Sequence, residues 1–136
     1  MTRRYLLDSG PAFDFLFRQK GVEDRVADAR RAGAKVGICV PVLGGIVGGL
    51  EASGSRDASW AVARPRLAKL VCRPYDRDAA YEYGRIFAEL KKRGRVIQQI
   101  DMRIAAVAFS LGHCTVVSSD TDLTTVPGLT VENWSS

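Results

Sequence analysis

Short apolar runs alternate along this chain with stretches of helical periodicity, and that alternation restricts the fold more than any other feature. The runs are Tyr5–Leu7, Val36–Val40, Lys69–Cys72, Thr115–Val117 and Leu129–Val131. Each is brief and bounded by turn residues or by a helical pattern, as buried strands are. Between them, Phe13, Leu16 and Phe17 recur at helical spacing after Pro11, which is placed at the first position of a helix. Val22, Val26 and Ala29 mark a second helix across Gly21–Ala32, and Leu43, Ile46, Val47 and Leu50 a third across Pro41–Glu51. Four glycines (Gly44, Gly45, Gly48, Gly49) weaken that third helix, at up to about 1 kcal/mol each relative to Ala. Ser53–Ser59 reads as a loop and Trp60–Leu67 as a short helix. Asp76–Arg93 is a long helix with Ala79, Tyr83, Ile86, Phe87 and Leu90 on one stripe, and Ile100–Leu111 is the last. Strands alternating with helices imply parallel βαβ units. The expected fold is therefore an α/β three-layer sandwich with a mostly parallel central sheet, formed by residues 1–136 as a single domain.

A chain of 136 residues buries roughly two-thirds of its unfolded surface, so it needs no disulfide or structural metal to fold. Cys39, Cys72 and Cys114 are odd in number, far apart and set in apolar runs, which reads as three buried, reduced thiols in the cytoplasm. The apolar run at the N-terminus is far too short for a signal peptide, and no stretch approaches the ~20 apolar residues of a membrane span. The chain is expected to be cytoplasmic with no membrane partner. A net charge of +5 favours a polyanionic partner.

In an open parallel sheet the working crevice lies outside the carboxyl ends of the strands. Asp8 closes the first strand there, and Asp120 and Asp122 follow the Thr115–Val117 strand at the same end. Asp101 sits in the first turn of the last helix, which enters from that side. Taken singly, these acids read as a strand end, a helix-dipole partner, and turn and N-cap residues. Taken together at one sheet edge, they point to a site. Converging carboxylates repel each other, and a hard divalent cation resolves the conflict. Such a site activates water and neutralises charge at phosphorus.

The residues that carry this pattern resemble PIN domains, and VapC toxins in particular. Tyr5-Leu6-Leu7-Asp8-Ser9-Gly10-Pro11 resembles their opening strand, and Ile97–Leu111 their third acidic motif. Val116–Trp134, with Ser118-Ser119-Asp120-Thr121-Asp122-Leu123 and Val126-Pro127-Gly128-Leu129, resembles their fourth motif and C-terminal end. The resemblance implies an Mg²⁺- or Mn²⁺-dependent endoribonuclease, the toxin of a type II toxin–antitoxin pair. It further implies an RNA substrate, a VapB-like antitoxin as partner, and a homodimer. By motif matching, Asp8, Asp101 and Asp120 are the catalytic metal-site acids and Asp122 a further metal ligand, with the Ser118 hydroxyl beside the cluster as a substrate-binding group. Lys91, Lys92, Arg93 and Arg95 precede the Asp101 motif. Arg93 and Arg95 are assigned to RNA phosphates, against the plainer reading of a solvated helix end.

One departure matters. The family usually places a Glu in the helix after the second strand, and Gly45 occupies that position here. Glu51 is six residues on, about 240° around an ideal helix, and cannot simply substitute. The Asn common two residues after the first Asp is Gly10. The alternative is thus a PIN domain that binds antitoxin or RNA without cleaving it. A phosphoacceptor signalling domain would require paired acids after the first strand and a late-strand Lys, and the late strands offer no Lys. His113, the single histidine, is a surface turn residue without a triad partner, and Gly44–Gly49 match no nucleotide-binding pattern.

Overall fold

The computed structural model describes residues 2–135. Five strands form one sheet: β1 Arg4–Leu7, β2 Lys35–Cys39, β3 Val71–Arg73, β4 Cys114–Val117 and β5 Thr130–Glu132. The order is β3-β2-β1-β4-β5 and every pair is parallel. Six helices connect them: α1 Ser9–Leu16, α2 Val22–Arg31, α3 Val40–Glu51, α4 Arg56–Leu67, α5 Arg77–Lys92 and α6 Gln99–Leu111. A short 3₁₀ turn spans Thr121–Thr125.

Successive strand residues point to opposite faces. Leu6 and Leu7 are both buried, as are Val36, Ile38 and Cys39 in β2 and Val116 and Val117 in β4, so both faces of the central strands are covered. This is the α/β layering that the apolar runs predict. The edge strands β3 and β5 are short and partly exposed. Trp134 anchors the C-terminus: it is buried, its ring centre lies 5.0 Å from that of Tyr5, and its Nε1 donates to Glu132 Oε1 at 2.9 Å.

The strand order carries the functional consequence. From β1 the chain builds outward through β2 to β3, then crosses back to place β4 and β5 on the other side of β1. The β1/β4 boundary is therefore the switch point of the sheet, where the direction in which successive strands are added reverses and a crevice opens at the carboxyl ends.

Several sequence expectations need correction. Pro11 is the third residue of α1, because Asp8 caps the helix and Ser9 opens it. The segment expected as a loop over Ser53–Ser59 gives way to α4 from Arg56, which pairs with both Glu51 and Asp57. Pro65 lies inside α4 and is tolerated because tertiary contacts hold the final turn. The buried Arg66 donates from Nε and Nη2 to the carbonyl of Phe15 at 3.0 and 2.7 Å, and reaches Glu23 at 3.2 Å. Of the three thiols, Cys39 is buried but Cys72 is exposed, since β3 lies at the sheet edge. Burial pushes the Cys39 thiol up to about 11, which suits an inert packing group.

The glycines of α3 differ sharply in surroundings. A Cβ at Gly44 or Gly48 meets nothing within 4 Å, whereas one at Gly49 lies 3.1 Å from the Phe13 ring. Gly44→Ala and Gly48→Ala should each stabilise the protein by about 0.5–1 kcal/mol, read as a higher urea midpoint at unchanged slope. Gly49→Ala must displace Phe13 and should forfeit that gain.

Candidate metal centre

The site is built where the switch point predicts. Asp8 follows β1 directly and is the N-cap of α1, its Oδ1 accepting from the Ser9 backbone N–H at 2.8 Å. Ser118 follows β4 and continues its pairing, its N–H donating to the Glu132 carbonyl at 2.9 Å. The Ser118 hydroxyl donates to Asp8 Oδ2 at 2.7 Å and accepts from the Asp120 N–H at 2.9 Å. One buried hydroxyl thus ties the end of β1 to the loop after β4. Asp120 caps the 3₁₀ turn by accepting from the Asp122 N–H at 2.9 Å.

Asp101 comes from the first turn of α6 and is buried, at 4% exposure, among these groups. Its Oδ2 is enclosed without a hydrogen-bond partner. Burial first, then the charges of Asp120 and Asp8, push its carboxyl from an ordinary 3.8 up to about 6. Asp101, Asp120 and Asp122 bring one carboxylate oxygen each within 4.8 Å of one another. Asp8 falls outside that set while remaining close enough for its charge to act on Asp101. A buried carboxylate with one unpartnered oxygen, clustered with two further carboxylates, is a donor set of hard oxygens, which fits a hard divalent cation such as Mg²⁺ or Mn²⁺.

Of the residues expected to contact substrate, Ser118 lies within the site and Arg93 and Arg95 lie apart from it. Ser118 is 3% exposed and its hydroxyl is engaged on both sides, an arrangement that positions acids. Arg93 closes α5 and pairs with Glu89 at 3.7 Å. Arg95 lies on the rim of an apolar groove of about 520 Å³ that Tyr83, Phe87, Val96, Ile97 and Met102 help to line. Among the described residues, neither arginine has a hydrogen bond or ion pair to the four acids. Gly45 sits in the first half of α3, and a Cβ there would lie 3.8 Å from the Ser9 hydroxyl. A Cβ at 45 therefore meets only ordinary contact and lies beside Ser9, the residue after Asp8. Glu51 is held by Arg56 at the far end of α3. Sequence reading missed the double role of Ser118, which only the β1–β4 pairing reveals.

No family model matches the chain. The tRNA(fMet)-specific endonuclease VapC of Salmonella typhimurium is 30% identical over 89 residues, covering 65% of this chain and 67% of that protein. The tRNA(fMet)-specific endonuclease VapC of Shigella flexneri is 32% identical over 90 residues, covering 66% and 68% respectively. Among solved structures, DNA-bound VapBC from Salmonella typhimurium matches with a TM-score of 0.85 at 25% identity, over 98% of this chain and 99% of that chain. With an all-parallel α/β sheet, aspartates gathered at its switch point, and relatives matched at this identity across two thirds of their length, the chain belongs to the VapC family of PIN-domain toxins.

Proposed function

We propose that this protein is a divalent-metal-dependent endoribonuclease, the toxin of a type II toxin–antitoxin pair. In this reading it works in the cytoplasm as a homodimer and is restrained by a VapB-like antitoxin. The observation that carries the reading is the buried, unpartnered Asp101 carboxylate facing Asp120 and Asp122. Such a cluster is unfavourable without a cation, and strain of this kind concentrates at functional sites.

When bound, Mg²⁺ or Mn²⁺ supplies charge neutralisation at the scissile phosphate and lowers the pKa of a coordinated water. The chain's own residues do the rest. Asp101, Asp120 and Asp122 offer the oxygens, Asp8 adds negative charge beside them, and Ser118 fixes Asp8 against the Asp120 loop. Arg93 and Arg95 are assigned to phosphates flanking the cleaved bond. No side-chain nucleophile is required.

Gly45 supports a second reading, a PIN domain that keeps its partners and has lost cleavage. The test compares the parent, Gly45→Glu and Asp101→Ala on a mixed RNA pool, antitoxin-free, with Mg²⁺ and with chelator. The expected result is chelator-sensitive cleavage by the parent, faster cleavage by Gly45→Glu and none by Asp101→Ala. Cleavage by Gly45→Glu alone would establish the second reading, and cleavage that survives in Asp101→Ala would refute the site.

A further inference from the structure

We propose that the groove between α5 and the first turn of α6 takes up an unstacked base of the RNA substrate, with Tyr83 and Phe87 as the stacking surface and Lys91 and Arg95 on the adjoining phosphates. The inference rests on the ribonuclease reading above and names where the substrate is held beyond the metal centre.

The groove begins with the sequence of α5. Tyr83, Phe87 and Lys91 follow one another at i, i+4 spacing and so form one row along the helix. Helical periodicity puts Phe87 on the inward stripe, yet it is 50% exposed, and Val96, which lines the same groove, is 95% exposed. With Ile97 and Met102 they bound a space of about 520 Å³, a size that small-ligand sites commonly have. Among the described residues, neither Tyr83 nor Phe87 has another aromatic ring or a guanidinium against its face.

The charges decide which ligand fits. Among the described residues no acid lines the groove, whereas Lys91 and Arg95 do, and Lys92 and Arg93 adjoin them. Lys91, Lys92 and Arg95 have no ion pair among the described residues. An apolar floor with cationic edges suits a flat, uncharged ring carried on a polyanionic backbone, and aromatic platforms bind the bases of single strands in this way. A second copy of this chain fits poorly, because a two-fold contact through this groove would bring the two clusters of cations together.

Position favours the same occupant. Gln99 and Met102 line the groove, and Asp101 lies between them in the chain, so one turn of α6 separates the groove from the carboxylate cluster. A strand with a phosphate at the cluster need only cross that turn. Duplex RNA keeps its bases stacked, so the groove selects unpaired segments.

The test is fluorescence anisotropy of a short labelled single-stranded RNA with the full chain, in chelator so that nothing is cleaved, beside an abasic oligomer of the same length. Parent, Phe87→Ala, Phe87→Trp and Lys91→Met are compared. Phe87→Ala should weaken RNA binding by about fivefold or more and leave the abasic oligomer unaffected, whereas Phe87→Trp should keep the parent's affinity. Lys91→Met should weaken both oligomers alike and flatten the salt dependence. In Mg²⁺ the loss in Phe87→Ala should appear in KM. Equal RNA affinity of parent and Phe87→Ala, no RNA binding by either, or an equal loss on the abasic oligomer would overturn the base site, and chelator-sensitive cleavage by the parent would still uphold the ribonuclease reading. A parent dimer that falls to monomer in Phe87→Ala, read by light scattering, would place a second copy in the groove and likewise overturn it. RNA that binds through Phe87 and is never cleaved in Mg²⁺ would keep the base site and refute the ribonuclease reading.

Discussion

Asp101→Asn is expected to lower RNA cleavage by about 10²-fold or more while raising the melting temperature of the metal-free protein. The two effects have one cause. Asp101 is held at 4% exposure with an unpartnered oxygen, beside Asp120 and Asp8. Its carboxyl is raised to about 6 from an ordinary 3.8, so the fold binds its proton more tightly than the unfolded chain does. For an acid raised in this way, the stability contribution is complete below 3.8 and is lost as pH climbs through about 6. At neutral pH the ionised group costs on the order of 3 kcal/mol. An amide of the same shape carries no such penalty and can donate to Asp120. The variant should therefore melt roughly 5–10 °C higher than the metal-free parent at pH 7.5. Calorimetry across the window from 3.8 to 6 should show the gap opening as pH rises and staying constant above it. Added Mg²⁺ should then raise the parent and leave the variant unmoved, because only a ligand that binds the folded state stabilises it. A gap that does not change with pH would mean that Asp101 bears no such strain.

Gly37→Ala carries the other large effect, and on stability alone. Gly37 pairs with Val71 where β2 meets β3, and a Cβ at 37 would lie 2.2 Å from the Val71 carbonyl oxygen. That oxygen belongs to the backbone, so no side chain can rotate away. Relief requires β3 to move off β2, and overpacking of this kind typically costs about 1–3 kcal/mol, occasionally more. Gly10→Ala, in α1 with nothing within 4 Å, is the control and should be neutral to slightly stabilising. Urea unfolding of the three proteins would expose the error if their midpoints coincided.

Much of the architecture is legible in the sequence because burial on both faces leaves its mark as uninterrupted apolar runs. Leu6–Leu7 and Val116–Val117 could hardly be anything but interior strand. What escapes is whatever depends on contacts distant in sequence. The polar Ser53–Ser59 stretch gives no sign that Arg56 will start a helix by pairing with Glu51 and Asp57. Pro65 argues against a helix that Arg66 nonetheless secures from within the core. Cys72 sits in a run as apolar as any other, and strand order alone decides that it faces solvent. At the site, the four aspartates are individually visible. Their division into three that converge and one that is hydrogen-bonded apart is set by angstrom-scale placement, which residue spacing does not encode.

The bond between Ser118 and Asp8 joins residues 110 positions apart. Asp8 is synthesised before Asp101, and Ser118 and Asp120 after both. β1, β2 and β3 can assemble early, but β1 keeps an open flank until β4 arrives to close it. A chain interrupted before β4 carries Asp8 and Asp101 with no Asp120, and no Ser118 to gather them. The acids of the site are thus gathered only once β4 and the loop that follows it have been made and β4 has paired with β1.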